Sequence, residues 1–358
     1  MKSLFKPSIY WLLVFVPVAL FLDYSGARAP LVFFSAGLSI IPIARLIGLS
    51  TEQLAAYTGD AAGGLLNATF GNLPELIIAL VVLNAGLHEM VLASLAGAIL
   101  ANLLLKMGVA FLVGGLKFHS QDYNANSIRV YGSMMLIATS SMFIPSAFHS
   151  FFGTSFAASE NTLNIVLSVT LLVSYILYLI FMLKTHAEAF KSQGDGDDEK
   201  EEKWTLYRAL GTLIVSAVGA AFMSEVLVGA AEATGKAMGM TGLFIGVVFL
   251  AVAGGAADLI TAFSMASKNK MDLYIGIVMG SSIQIALFVG PILVLCSLFI
   301  GPAQLTLSFV PSLLGSMFFA VLLGIMVAGD GKSNWYKGVQ LILFYLILAI
   351  MFYFIPVH

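Results

Sequence analysis

Two carboxylates stand in apolar surroundings rich in small residues: Glu75 in Gly71-Asn-Leu-Pro-Glu-Leu-Ile-Ile-Ala79 and Asp258 in Gly254-Gly-Ala-Ala-Asp-Leu-Ile-Thr-Ala262. The stretches superimpose without a gap at an offset of 183 residues (75 to 258), which also brings Glu89 onto Asp272 and Gly97 onto Gly280. Asn72 precedes Glu75 by three residues and shares its helix face. The following segments add Asn102 in the first copy and Ser281 and Gln284, also three apart, in the second. Carboxylate, amide, hydroxyl and backbone oxygens suit a hard cation such as Ca2+, which takes about 6–8 of them. A carboxylate whose affinity for protons is raised by burial and lowered by nearby cations can hold either the ion or a proton. Mutual exclusion of the two is the simplest basis for exchange. The competing role for the amides and hydroxyls is to glue helices together.

These groups need a scaffold, and the composition says which. Of 358 residues, 59% are hydrophobic and 10% charged, against about 45–50% and 25% in a soluble domain. An ordinary soluble enzyme and a disordered chain are both excluded. A net charge of −2 leaves no basic surplus for nucleic acid, and Cys296 stands alone. Continuous apolar runs near 8–24, 30–48, 61–86, 90–115, 129–148, 161–184, 206–231, 239–267, 273–300, 307–328 and 335–356 predict an all-α membrane protein of eleven transmembrane helices. A β-barrel would show short alternating runs instead. Carboxylates inside such helices cost roughly 2.5–3.5 kcal/mol each on insertion scales, which marks Glu75 and Asp258 as functional.

With the N-terminus in the cytoplasm and eleven crossings, Lys2, Lys6, Arg45, Lys117, Arg129, Lys184, Lys191, Lys200, Lys203, Arg208, Lys268, Lys270, Lys332 and Lys337 all fall inside. Only Arg28 and Lys236 fall outside. The asymmetry is the positive-inside rule, and it puts the C-terminus outside. It also favours a retained first helix, although basic Met1–Lys6, apolar 8–22 and small residues at 25–29 resemble a signal peptide. The expected units are an N-terminal transmembrane helix (1–27), a first five-helix repeat (28–185), an acidic cytoplasmic linker (186–205) and a second five-helix repeat (206–358). Five is odd, so the repeats are inverted in the membrane. Transporters are built this way around a midplane site, and channels can be too. Pro74 and Gly71, matched by Gly254-Gly255, predict interrupted helices at the acids.

The run Leu66-Asn-Ala-Thr-Phe-Gly-Asn-Leu-Pro-Glu-Leu-Ile-Ile-Ala-Leu80 is similar to the first repeat (G-N-A-T-E-L-I-I-A) of the calcium/proton exchangers, within the cation/Ca2+ exchanger superfamily. The run from Lys268 to Val289 resembles the second, and the order of segments covers nearly the whole chain. The resemblance implies a secondary active transporter exchanging a cation, above all Ca2+, for protons by alternating access. Glu75 and Asp258 would be its metal- and proton-binding carboxylates, with Asn72, Asn102, Ser281 and Gln284 beside them. Glu225, after Ser224, would line an access path or pair with a polar group. No cofactor is implied; the partners are the cation, protons and the lipid bilayer. Short loops fit a bacterial inner (plasma) membrane.

The chain also departs from the family pattern. Its second repeat usually reads G-N-A-A-E-H, and here Gly255, Asp258 and Leu259 replace Asn, Glu and His. The family's G-S-I-L-S-N is here Gly97-Ala-Ile-Leu-Ala-Asn102. Lys106 interrupts an apolar run four residues after Asn102. Either it snorkels to the cytoplasmic interface, or its ammonium reaches Glu75 or Asp258 and modulates the site. The second case leaves two alternatives to Ca2+/H+ exchange: the same fold with altered ion choice (Na+ or another divalent), or a transport-impaired membrane scaffold. Neither H-E-x-x-H nor G-x-S-x-G is present, which argues against an intramembrane enzyme.

Overall fold

The computed structural model describes residues 8–58, 60–152, 157–186 and 203–355. Basic Met1–Lys6 and nearly all of the acidic linker lie outside the described residues. The helices are α1 (Ile9–Tyr24), α2 (Ala29–Thr58), α3 (Asp60–Phe70), α4 (Leu73–Asn84), α5 (His88–Phe118), α6 (Ala125–Phe152) and α7 (Ala157–Ile180, continued by a π-turn, Phe181–Thr185). After the linker come α8 (Leu206–Met238), α9 (Gly242–Ser267), α10 (Met271–Cys296), α11 (Pro311–Ala328) and α12 (Trp335–Phe354). Among the described residues, nine helices are long and apolar enough to cross a membrane, and α1 and α4 are shorter apolar helices.

The centre of the bundle is α5, buried at every residue from 90 to 104, together with α10. Small residues let the helices touch backbone to backbone there. A Cβ on Gly97 of α5 would overlap the Val247 backbone of α9, and one on Gly246 would lie 2.5 Å from Ala93 Cβ. Such close approach is the main source of packing energy between membrane helices. On the outside, α2 and α8 run along each other. At 30 and 33 residues they are longer than the bilayer core, an excess that tilt, a kink or ends reaching past the core accommodates.

One end of the bundle gathers the basic residues. Lys117 Nζ donates to Ser267 O at 2.8 Å, the Trp204 N–H donates to Gln53 Oε1, and Arg208 stacks over Trp204. A two-residue antiparallel ladder, β1 (Gln121–Asp122) with β2 (Lys332–Ser333), ties the α5–α6 and α11–α12 loops together at that end. Towards the other end, the extended stretch before α11 is pinned by side chains. The Leu307 N–H donates to Asn164 Oδ1 at 2.7 Å, the Phe309 N–H to Ser146 Oγ, and Ser308 Oγ to Glu160 Oε1.

The segment predicted over 61–86 is two helices, α3 and α4, separated at Gly71-Asn72. Pro74 sits in the first turn of α4, where its missing N–H costs nothing. The matching break expected at Gly254-Gly255 does not occur, and α9 is helical through both glycines. Its irregularity is a π-segment upstream, Ile245–Leu250. A glycine pair lowers helix propensity, but both glycines are buried against α4 and α5, and tertiary packing overrides propensity.

Candidate cation site

Glu75 lies in the first turn of α4, directly after the break. Free backbone N–H groups and the helix dipole favour a negative charge at such a position. Asp258 projects from the uninterrupted α9. Both line one cavity of about 700 Å3, with Asn72, Gly254, Ser281 and Gln284. The cavity extends past Tyr131, Tyr175 and Thr261 towards Arg45, Glu52, Asn124 and Asp272, at the basic end of the bundle. Glu75 also borders a void of about 10 Å3 on its other side, closed by Ser94, Leu95, Ala98 and Ile285. A space of that size holds one water at most. Glu75 therefore stands between the large cavity and this small void.

The four predicted companions come together in one hydrogen-bonded set. Asn72 Nδ2 donates to Gln284 Oε1 at 2.8 Å and to Ser281 O at 3.2 Å, while Ser281 Oγ donates to Asn72 Oδ1 at 2.7 Å. Asn102 Nδ2 donates to Ser281 Oγ at 3.1 Å, and Gln284 Nε2 reaches back to Thr69 O, in the last turn of α3, at 2.9 Å. Asn102 Oδ1 is buried with no hydrogen-bond partner among the described residues. The network joins the broken helix to α5 and α10, and it satisfies a carbonyl near the break that Gly71 and Pro74 lead one to expect.

Lys106 does not snorkel. Its side chain is 2% exposed and its Nζ lies 2.8 Å from Asp258 Oδ2. A π-segment, Ala101–Lys106, carries it. The extra residue per turn changes which face the following side chains present. A second π-segment, Ile285–Val289, occupies the equivalent stretch of α10, where Val289 stands at the offset position of Lys106. Among the described residues no group of three or more His, Cys, Asp or Glu gathers anywhere, so the acids of this site are the pair Glu75 and Asp258.

Glu225 stands apart from the groups gathered at this cavity. It lies on the exposed face of α8, does not line the cavity, and has no hydrogen bond or ion pair among the described residues. Its neighbour Ser224 turns inward and donates to Ala220 O. Sequence reasoning passed over the cavity's aromatic wall of Tyr131, Tyr175 and Tyr178. The spacing of the last two, three apart on one face of α7, was the available signal. Glu52 and Asp272, near the ends of α2 and α10, also line the cavity.

The sodium/calcium exchanger protein family matches the chain twice, over residues 28–184 and 208–354. A Ca2+/H+ antiporter of a Synechocystis species is 39% identical over 363 residues, covering 96% of each chain. The Ca2+/H+ antiporter ChaA of Bacillus subtilis is 41% identical, over 88% of this chain and 90% of the relative. The solved structure of native YfkE aligns with a TM-score of 0.84 at 35% identity, over 97% of this chain and 100% of that one. The crystal structure of an H+/Ca2+ exchanger CAX, at 12% identity and TM-score 0.70, shares the fold. With two family matches and relatives of this identity along nearly its full length, the chain belongs to the Ca2+/H+ antiporter family of the sodium/calcium exchanger proteins, integral membrane transporters and not enzymes.

Proposed function

We propose that the protein is a secondary active transporter that exchanges Ca2+ for protons across a bacterial plasma membrane by alternating access to Glu75 and Asp258. The observation that carries this reading is the meeting of two carboxylates, 183 residues apart in the chain, at one cavity within the bundle. Each can hold a share of a divalent ion or a proton, and the two loads exclude one another. Asn72, Asn102, Ser281 and Gln284 supply further oxygens or hold the oxygens of others in place. The relatives in Synechocystis and Bacillus are Ca2+/H+ antiporters, which supports the choice of ion.

The reading includes an architecture. An N-terminal helix (1–27) precedes two inverted five-helix units, 28–185 and 206–358, joined by a cytoplasmic acidic linker (186–205). The double family match and the recurring π-segments support the repeat. The N-terminus is cytoplasmic and the C-terminus external, because the basic end of the bundle faces the cytoplasm. The cavity then opens inward, and the void beside Glu75 marks the path that opens outward. Exchange occurs when one path closes as the other opens, with the acids in place between them.

Purified protein in liposomes tests this reading. An outward-directed proton gradient is expected to drive Ca2+ uptake that collapses when a protonophore dissipates the gradient. Absence of any cation flux under either condition would favour a transport-impaired scaffold.

A further inference from the structure

Lys106 and Gly255 form a unit that neither residue explains alone. The lysine ammonium sits over the Gly255 backbone: a Cβ there would overlap Nζ, come within 2.8 Å of Cε and lie 3.4 Å from Glu75 Oε1. The missing side chain is the space the ammonium fills. Lys106 does not line the cavity, whereas Asp258, 30% exposed, does. The lysine therefore holds Asp258 from behind, and an ion arriving through the cavity meets the carboxylate from the front. With both carboxylates ionised, two acids and one resident cation give the site a formal charge of minus one.

We propose that Lys106, lodged in the space left by Gly255, is a built-in competitor of the transported cation and sets its charge selectivity. A divalent ion binding across Glu75 and Asp258 must share Asp258 with the ammonium, or draw the ammonium off it. Repulsion scales with ionic charge, so the lysine penalises Ca2+ twice as heavily as a monovalent ion at the same place. Lys106 is itself buried beside Asp258, where salt screens its charge less than at a surface. The π-segment that aims Lys106 at α9 has Val289 at the corresponding position of α10, so the device is present in only one half of the site. The proposal rests on the two-carboxylate site described above but not on proton coupling.

Equilibrium binding of radioactive Ca2+ to the purified full chain, with Na+ as competitor, tests it. Lys106→Met, which keeps the stem and removes the charge, is expected to bind Ca2+ roughly tenfold or more tighter, with a smaller gain for Na+. Lys106→Arg is expected to stay close to wild type. Gly255→Ala displaces the ammonium tip but keeps its charge in the site, so it is expected to change Ca2+ binding less than Lys106→Met does, while adding little in the Lys106→Met background. Unchanged or weaker Ca2+ binding by Lys106→Met, or equal gains for Na+ and Ca2+, would overturn the proposal. If Lys106→Met does not fold, Lys106→Gln, which also removes the charge, gives the same decision. Proton-driven flux in liposomes is scored separately. Wild type without flux but with tighter Ca2+ binding in Lys106→Met removes the antiport reading and keeps the competitor. Normal flux with no change in binding does the reverse.

Discussion

At the scale of single residues, the site is a balance of a few charges and oxygens. Glu75→Gln keeps the shape of the side chain and removes its charge, so proton-coupled Ca2+ flux is expected to fall by about 100-fold or more without loss of folded protein. Flux assays on proteoliposomes, with melting followed in parallel, check both halves of that statement. Asn72→Ala removes the hub of the network, taking away the acceptor of the Ser281 hydroxyl proton and the donor to Gln284 Oε1. A buried polar group so stranded costs about 1–3 kcal/mol. A lower melting temperature and weaker Ca2+ binding are expected together. Away from the site, Asp330 accepts two 2.6 Å hydrogen bonds from Lys337 Nζ. Slight burial raises this carboxyl, but the Lys337 hydrogen bonds and charge and the Lys332 N–H outweigh it and hold it below the usual carboxylate range. A depressed carboxyl stabilises the fold above its unfolded value, and that stabilisation is lost as pH falls through the folded one. Asp330→Asn should therefore be slightly less stable than wild type near neutrality, by under about 1 kcal/mol for so exposed a pair. Acid melting curves should show the difference vanish as pH drops below the carboxylate range.

At the scale of elements, the acids, the amides and the break before Glu75 were legible in the sequence because each breaks a local rule: charge in an apolar run, or proline and glycine in a helix. The fate of Lys106 was not legible. Spacing counted at 3.6 residues per turn places it on the face of Asn102, but the intervening π-segment shifts that register. Gly254 and Gly255 were read as a helix break because both lower helix propensity; packing against Glu75 and Lys106 keeps them helical. Glu225 was expected on an access path or beside a polar group; adjacent helix positions point about 100° apart, and of the Ser-Glu pair it is Ser224 that is buried while Glu225 is exposed. Where glycine permits backbone contact, substitution has a definite expected cost. Gly97→Leu cannot be accommodated against the Val247 backbone without parting α5 from α9. Overpacking of this kind costs about 1–3 kcal/mol or more, read as a lower melting temperature and as loss of the seal beside Glu75.

At the scale of the whole molecule, the central fact is asymmetry of access: a wide path from the basic end to the acids, and a small void beyond them. Composition revealed the class of protein, but it does not fix which path is open, since that depends on helix packing on both sides of the same residues. Thiol accessibility reads it directly. In a Cys296→Ser background, Thr261→Cys on the cavity wall is expected to react with a membrane-impermeant reagent added to inside-out vesicles. Ser94→Cys at the void is expected to remain protected in the absence of substrate. Reaction of Ser94→Cys from either side of the membrane with Thr261→Cys protected would reverse the assigned state.

The claim beneath all of this is that Ca2+ and protons compete for the same two carboxylates. The most direct measurement is the number of protons released when Ca2+ is added to weakly buffered, detergent-purified protein, compared with Glu75→Gln and Asp258→Asn. Competition predicts proton release that saturates with Ca2+ occupancy and declines in each variant. Saturable Ca2+ binding with no proton release at any pH, or release unchanged in both variants, would contradict the account.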